Sequence, residues 1–171
     1  WLLLPNFKKN NDIKDKKNIE KIKYLEVETN KIYEVQSNIN SGILGLGWTH
    51  PSYGRSISTN GAWSEGYTST LLFKRKKNTQ INSIILNFEK FLNIKNHPLE
   101  VDIFINNNYF KSLSFIENND LSVFLNTDKI IFSSNVNTIE FKIKNPVTPI
   151  SKLESVDGRL LGLLIKSVEF K

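Results

Sequence analysis

Residues 138–144 read TIEFKIK. Ile139, Phe141 and Ile143 fall on one side of an extended chain, and Glu140, Lys142 and Lys144 fall on the other. Side chains alternate across a strand with a period of two, so this pattern predicts a strand with one face buried and one in water. The same signal recurs in both directions from it. Residues 99–105, LEVDIFI, open with the alternation and run into Asn106-Asn107-Asn108. A second extended run over 109–116 follows that turn, which predicts a hairpin. Upstream, strands are expected over 24–28, 33–35, 62–73 and 81–91, and downstream over 121–125 and 160–170. A short helix is expected at 150–156. About eight or nine short strands, broken by Asn, Asp, Pro and Gly clusters, predict an all-β chain: an antiparallel, jelly-roll-like β-sandwich.

The chain is 171 residues long, with 39% hydrophobic and 23% charged residues, enough to bury one core without staples. It has no cysteine, which excludes disulfides, thiolate ligands and thiol nucleophiles. Its two histidines, His50 and His97, leave no basis for a histidine-rich metal site. The net charge of +6 is concentrated near the start: Lys8 to Lys23 carry seven lysines against Asp12, Asp15 and Glu20. The rest of the chain is close to balanced and holds all three arginines, Arg55, Arg75 and Arg159. A nucleic-acid binder would carry its excess on the folded face with arginines to grip phosphate, so no nucleic-acid partner is expected. One basic cluster, Lys74 to Lys77, lies in the body of the chain. It reads as a solvated turn between strands or as a contact for anionic sugars or lipid phosphates.

Residues 1–23 are expected to form a basic linker or membrane-proximal arm, and residues 24–171 the β-sandwich domain. The opening Trp1-Leu2-Leu3-Leu4-Pro5 is too short to span a bilayer. It fits the cut end of a membrane helix or an ordinary first strand. With no methionine in the chain, a segment of a longer protein is expected.

No G-x-S-x-G elbow, phosphate-binding loop, dinucleotide loop or EF-hand loop occurs. No catalytic residue, metal or cofactor is therefore expected. What stands out is residues 41–66, SGILGLGWTHPSYGRSISTNGAWSEG, rich in glycine and holding two of the three tryptophans. A second element, Asp157-Gly158-Arg159-Leu160-Leu161-Gly162, precedes the last strand.

Together these elements resemble the C-terminal β-sandwich domain of bacterial envelope glycan enzymes, among them membrane glycosyltransferases and phosphoglycerol-transferase-like proteins. Gly47, Trp48 and Pro51 match its first motif, Gly61, Trp63, Ser64 and Gly66 its second, and Asp157, Arg159, Leu161 and Gly162 its third. Ser52 stands where that family has a glutamate, and the spacer between the tryptophan motifs is longer. The resemblance covers about residues 40–171. It implies a non-catalytic carbohydrate-binding accessory domain on the periplasmic face of the bacterial inner membrane. Its partners would be a glycan or lipid-linked sugar and the parent membrane enzyme.

Sugar rings present C–H faces that stack on aromatic rings, and their hydroxyls take planar polar side chains. The candidate ligand-binding residues are accordingly Trp48, His50, Tyr53, Arg55, Trp63, Glu65 and Arg159. Two other readings stand beside this one. Trp63 also fits a core anchor, and Arg159 with Asp157 a structural ion pair. A domain that packs on its parent enzyme or mediates oligomerisation is the alternative function, and a glycan hydrolase or transferase a further one.

Overall fold

The computed structural model describes residues 24–35, 41–49, 61–91, 97–116, 121–149 and 158–171. The expected arm at 1–23 and the expected helix at 150–156 lie outside these residues. The described residues form ten strands and one 3-10 turn, Ser41–Ile43. The strands are β1 (Glu26–Val27), β2 (Lys31–Glu34), β3 (Ala62–Glu65), β4 (Thr68–Arg75) and β5 (Ser83–Phe91). They continue with β6 (Leu99–Ile105), β7 (Asn108–Phe115), β8 (Leu121–Asn126), β9 (Val136–Ile143) and β10 (Leu161–Phe170).

The ten strands make two sheets, so the β-sandwich read from the sequence is the fold. Two details differ from expectation. The single strand expected over 62–73 is two, because Gly66 adopts a φ of +78° and turns the chain with Tyr67 between β3 and β4. A left-handed backbone at that point breaks the ladder, although the β-prone residues run on past it. The second detail is β1, which pairs with β4 in parallel, while the other strand pairs are antiparallel.

The first sheet runs β1-β4-β9-β6-β7 and the second β2-β10-β5-β8, with β3 also paired to β10. The alternation in β9 and β6 does what the pattern requires. Ile139, Phe141 and Ile143 point inward with Val101, Ile103 and Ile105, and all six are buried. Ile84, Leu86, Phe88, Val168 and Phe170 of the second sheet face them. Phe73 meets Phe170 at a ring-centroid distance of 4.8 Å and Phe88 meets Phe141 at 6.2 Å, so the sheets interlock through aromatic pairs. Burying side chains of this size contributes about 1.5–3 kcal/mol each.

The β6–β7 hairpin turns on Asn106 and Asn107, both at positive φ (50° and 67°). That is the geometry of a two-residue turn whose twist suits an antiparallel pair, and asparagine tolerates it better than most residues. A bulge follows: Phe104 pairs with Tyr109, but Ile103 pairs with Lys111, which leaves Phe110 unopposed.

Candidate functional site

The glycine-rich stretch lies along β4. Leu44 bridges to Leu71, the Gly45 amide donates to the Thr70 carbonyl (2.7 Å), and the Thr70 amide donates to the Leu46 carbonyl (2.9 Å). Gly47 then turns inward at a φ of +77°, where a side chain would collide with the Thr68 carbonyl. This turn delivers Trp48 into the protein. Its ring is only 2% exposed, meets Phe141 edge-on at 5.8 Å, and its Nε1–H donates to the Thr70 carbonyl at 2.8 Å. The expectation that Trp48 stacks under a sugar is therefore corrected: its indole is part of the core.

The neighbouring motif residues tie strands together. Trp48 bridges to Ser64, and Thr49 is bound to Trp63 twice, through its amide (2.8 Å) and its hydroxyl (2.9 Å). The buried Ser64 hydroxyl accepts the Leu163 amide at 2.8 Å. Trp63 is half-buried and lies opposite Leu164 of β10. Arg159 donates from Nη1 to Glu65 Oε1 at 2.7 Å, closing a clamp between β3 and the entry to β10. The structure thus brings Trp63, Glu65 and Arg159 to one end of the second sheet. The other candidates, His50, Tyr53 and Arg55, lie outside the described residues, as does Asp157.

Three of the four side chains of the basic cluster make internal contacts. Lys76 pairs with Glu28 at 2.6 Å, and Lys74 sits 5.4 Å from the Tyr24 ring. Arg75 donates to the carbonyls of Phe132 and Thr79. These side chains serve the protein's own turns.

A different surface combines open aromatic and polar groups: the outer face of the first sheet. The strand registers place Tyr109, Phe104, Glu140 and Thr70 in one row across β7, β6, β9 and β4. Beside it runs a second row of Ser112, Asp102, Lys142 and Thr68. Tyr109 is 60% exposed and meets the half-buried Phe104 edge-on at 5.7 Å. The Lys142 ammonium lies 4.1 Å above the Phe104 ring, a cation–π contact.

The β7 bulge brings the Tyr109 hydroxyl within 3.1 Å of Ser112 Oγ. Ser112 spends its own proton on Asp102 Oδ1, so Tyr109 is the donor in that pair. Lys144 approaches the same carboxylate at 3.2 Å. The hydrogen bond from Ser112, and then Lys144, hold the Asp102 carboxyl below its ordinary value. The Asp102 contact in turn raises Lys144. This group stays ionised and oriented near neutral pH.

At the hairpin end Tyr109 also borders a cleft of about 420 Å³ between the hairpin and the segment after β8, lined by Ile105, Phe110, Lys129 and Ile131 among others. No group of three His, Asp or Glu side chains among the described residues is placed to hold a metal. Sequence reasoning missed this face because Tyr109, Phe104 and Asp102 belong to ordinary strands. The exposed tyrosine after an Asn turn was its only local sign.

A β-sandwich with an open aromatic–polar sheet face is the class these features define. No family model matches the chain, and no curated protein sequence matches it. Among solved structures, the fold is similar to an acetyl xylan esterase, Est2A, from the rumen bacterium Butyrivibrio proteoclasticus. That likeness has a TM-score of 0.52 at 12% identity and covers 82% of this chain. The aligned region spans 32% of the esterase chain. Weaker likenesses include carbohydrate-binding module CBM36 in complex with calcium and xylotriose, with TM-score 0.45, 15% identity, and 82% and 99% of the two chains covered. Another is a family 35 carbohydrate-binding module from Clostridium thermocellum, with TM-score 0.41, 13% identity, and 81% and 97% covered. At these identities what is shared is the sandwich.

Proposed function

We propose that this chain is a non-catalytic carbohydrate-binding domain that holds a glycan on the outer face of its first sheet. The observation that carries this reading is the exposed Tyr109 ring beside Ser112, Asp102 and Lys142. An open aromatic ring offers a stacking surface, and the neighbouring carboxylate and ammonium supply the acceptor and donor that sugar hydroxyls require. The resemblance of the tryptophan and Arg159 motifs supports a parent among bacterial envelope glycan enzymes, with the domain on the periplasmic side of the inner membrane. There it would raise the local concentration of a glycan or lipid-linked sugar near the catalytic part by tethering.

The test is a glycan array probed with the 171-residue chain and with Tyr109→Ala, followed by amide chemical shifts on any hit. Saturable shifts at Phe104, Tyr109 and Ser112, absent in the variant, are expected. An array blank for neutral and acidic glycans alike sinks the proposal.

A second reading, packing against the parent enzyme or a second copy, is favoured by the opposite face. There Phe124, Ile85, Glu169 and Ile32 form a row across the second sheet, with Phe124 and Ile32 each 56% exposed. Three apolar side chains in one row, two of them more than half exposed, suit a contact surface. Sedimentation of the chain and of Phe124→Ser separates the cases. A dimer lost in the variant supports packing, and a concentration-independent monomer removes self-association.

A further inference from the structure

The row Tyr109–Phe104–Glu140–Thr70 crosses three gaps between hydrogen-bonded strands. At about 4.8 Å per gap it extends about 14 Å, close to the length of roughly three linked pyranose rings. Its ends differ in character but neither is walled among the described residues. β7 is an edge strand and Tyr109 stands open on it. At the far end the Thr70 hydroxyl meets the Leu46 amide of the flanking segment, where Leu46 is itself exposed. Among the described residues, both ends of the row therefore leave room for a ligand to continue.

The charge of the face is as informative as its length. Two lysines beside the row have carboxylates within reach: Lys142 lies 3.9 Å from Glu140, and Lys144 lies 3.2 Å from Asp102 and 3.8 Å from Glu100. With Lys129 at the Tyr109 end, three ammonium groups meet three carboxylates, which leaves no surplus positive charge for an acidic sugar. A uronic acid or phosphorylated unit placed there would meet Asp102 and Glu140 across a short distance, and like charges so placed are unfavourable.

From these two observations, and resting on the carbohydrate reading above, we infer that the face binds an internal segment of a neutral glycan. The segment is about three sugars long, and its axis lies across the strands rather than along them. Tyr109 stacks the sugar at the β7 end. Lys142 and Asp102 serve hydroxyls along one side of the chain, and Glu140 those of the unit further in.

The test is calorimetric titration of the 171-residue chain with neutral gluco-, xylo- and manno-oligosaccharides of one to six rings. Hexasaccharides blocked at both ends and an oligogalacturonate trimer complete the set. For at least one neutral series, affinity should rise tenfold or more from one ring to three and then level off. End-blocked hexasaccharides should bind as well as unblocked ones, and the uronate trimer at least tenfold more weakly than the neutral trimer. Tyr109→Ala should lose binding at every length, with an unchanged amide spectrum. Glu140→Gln should weaken the trimer and leave the monosaccharide unaffected. A plateau at one ring, a need for a free chain end, or equal or tighter binding of the uronate overturns this inference while leaving the carbohydrate reading standing. No binding by any saccharide overturns both.

Discussion

The Trp48 indole N–H donates to the Thr70 carbonyl at 2.8 Å while its ring meets Phe141 edge-on in the core. The most conspicuous aromatic residue of the glycine-rich stretch therefore stabilises the fold. Trp48→Ala should remove about 3–5 kcal/mol, as deletion of a buried tryptophan does. For a domain of this size the melting temperature should fall by roughly 10 °C. Trp48→Phe should cost much less, since the Thr70 carbonyl also accepts from the Gly45 amide. Thermal unfolding of both variants checks this. An unchanged melting temperature in Trp48→Ala would show that the ring is not buried.

The open ring is Tyr109, and its two functions separate by substitution. Tyr109→Phe keeps the stacking surface but removes the donor to Ser112. It should retain glycan binding within a few-fold, whereas Tyr109→Ala should lose tenfold or more. Both should unfold within about 0.5 kcal/mol of the parent, because the residue is mostly in water. Equal losses of affinity in both variants would place the energy in the hydroxyl rather than the ring.

Glu65 and Arg159 are 94 positions apart and form a partly buried pair at 2.7 Å. A double-mutant cycle with Glu65→Gln and Arg159→Gln should return a coupling of about 1 kcal/mol, between the values for exposed and buried pairs. None of the three variants should change affinity on the Tyr109 face. A coupling near zero would remove the clamp between β3 and β10. A loss of glycan affinity would return these residues to a binding role.

Gly162 is buried where a methyl group has no room. A Cβ there would lie 2.8 Å from Ile143 Cδ1 and 3.0 Å from the Ser64 hydroxyl. The isoleucine tip can move, but Ser64 is fixed by the Leu163 amide. Gly162→Ala should cost about 1–3 kcal/mol, as overpacking does. Urea unfolding should show a lower midpoint with an unchanged slope. A midpoint equal to the parent's would mean that β10 has slack at this point.

Most of the fold was legible because alternation is a local signal. β6 lies over 99–105 and β10 ends at Phe170, both as read from the pattern. The break at Gly66-Tyr67 was less visible, since threonine, tyrosine and tryptophan on both sides favour a strand. The site was largely illegible, for a different reason. Which way Trp48 points depends on a bridge to Ser64 and a carbonyl in β4, both distant in sequence. Tyr109, Phe104, Glu140 and Thr70 become neighbours only through three strand registers and one bulge. No spacing along the chain encodes such a row. The ion pair read for Arg159 was with Asp157, outside the described residues, and its contact with Glu65, 94 positions away, needed the structure.

The Asp102 carboxyl is lowered, first by the Ser112 hydrogen bond and then by Lys144, and Lys144 is raised by Asp102. A lowered carboxyl contributes stability that is present above its unfolded value, about 3.9, and is lost as pH falls through the lower folded value. A raised lysine contributes stability that is complete below about 10.4 and is lost as pH rises through its higher folded value. The pair should therefore hold the polar row steady across roughly pH 5–9. The difference in urea midpoint between the parent and Asp102→Asn should be flat over that span and shrink only in stronger acid or in base strong enough to deprotonate Lys144. Because Ser112 is the larger cause, Ser112→Ala should move the Asp102 titration, followed by carboxyl carbon NMR, back toward the ordinary range. Lys144→Gln should move it less. If Lys144→Gln produced the larger return, the serine relay from Tyr109 would not be what orients this carboxylate, and ion pairing would take its place.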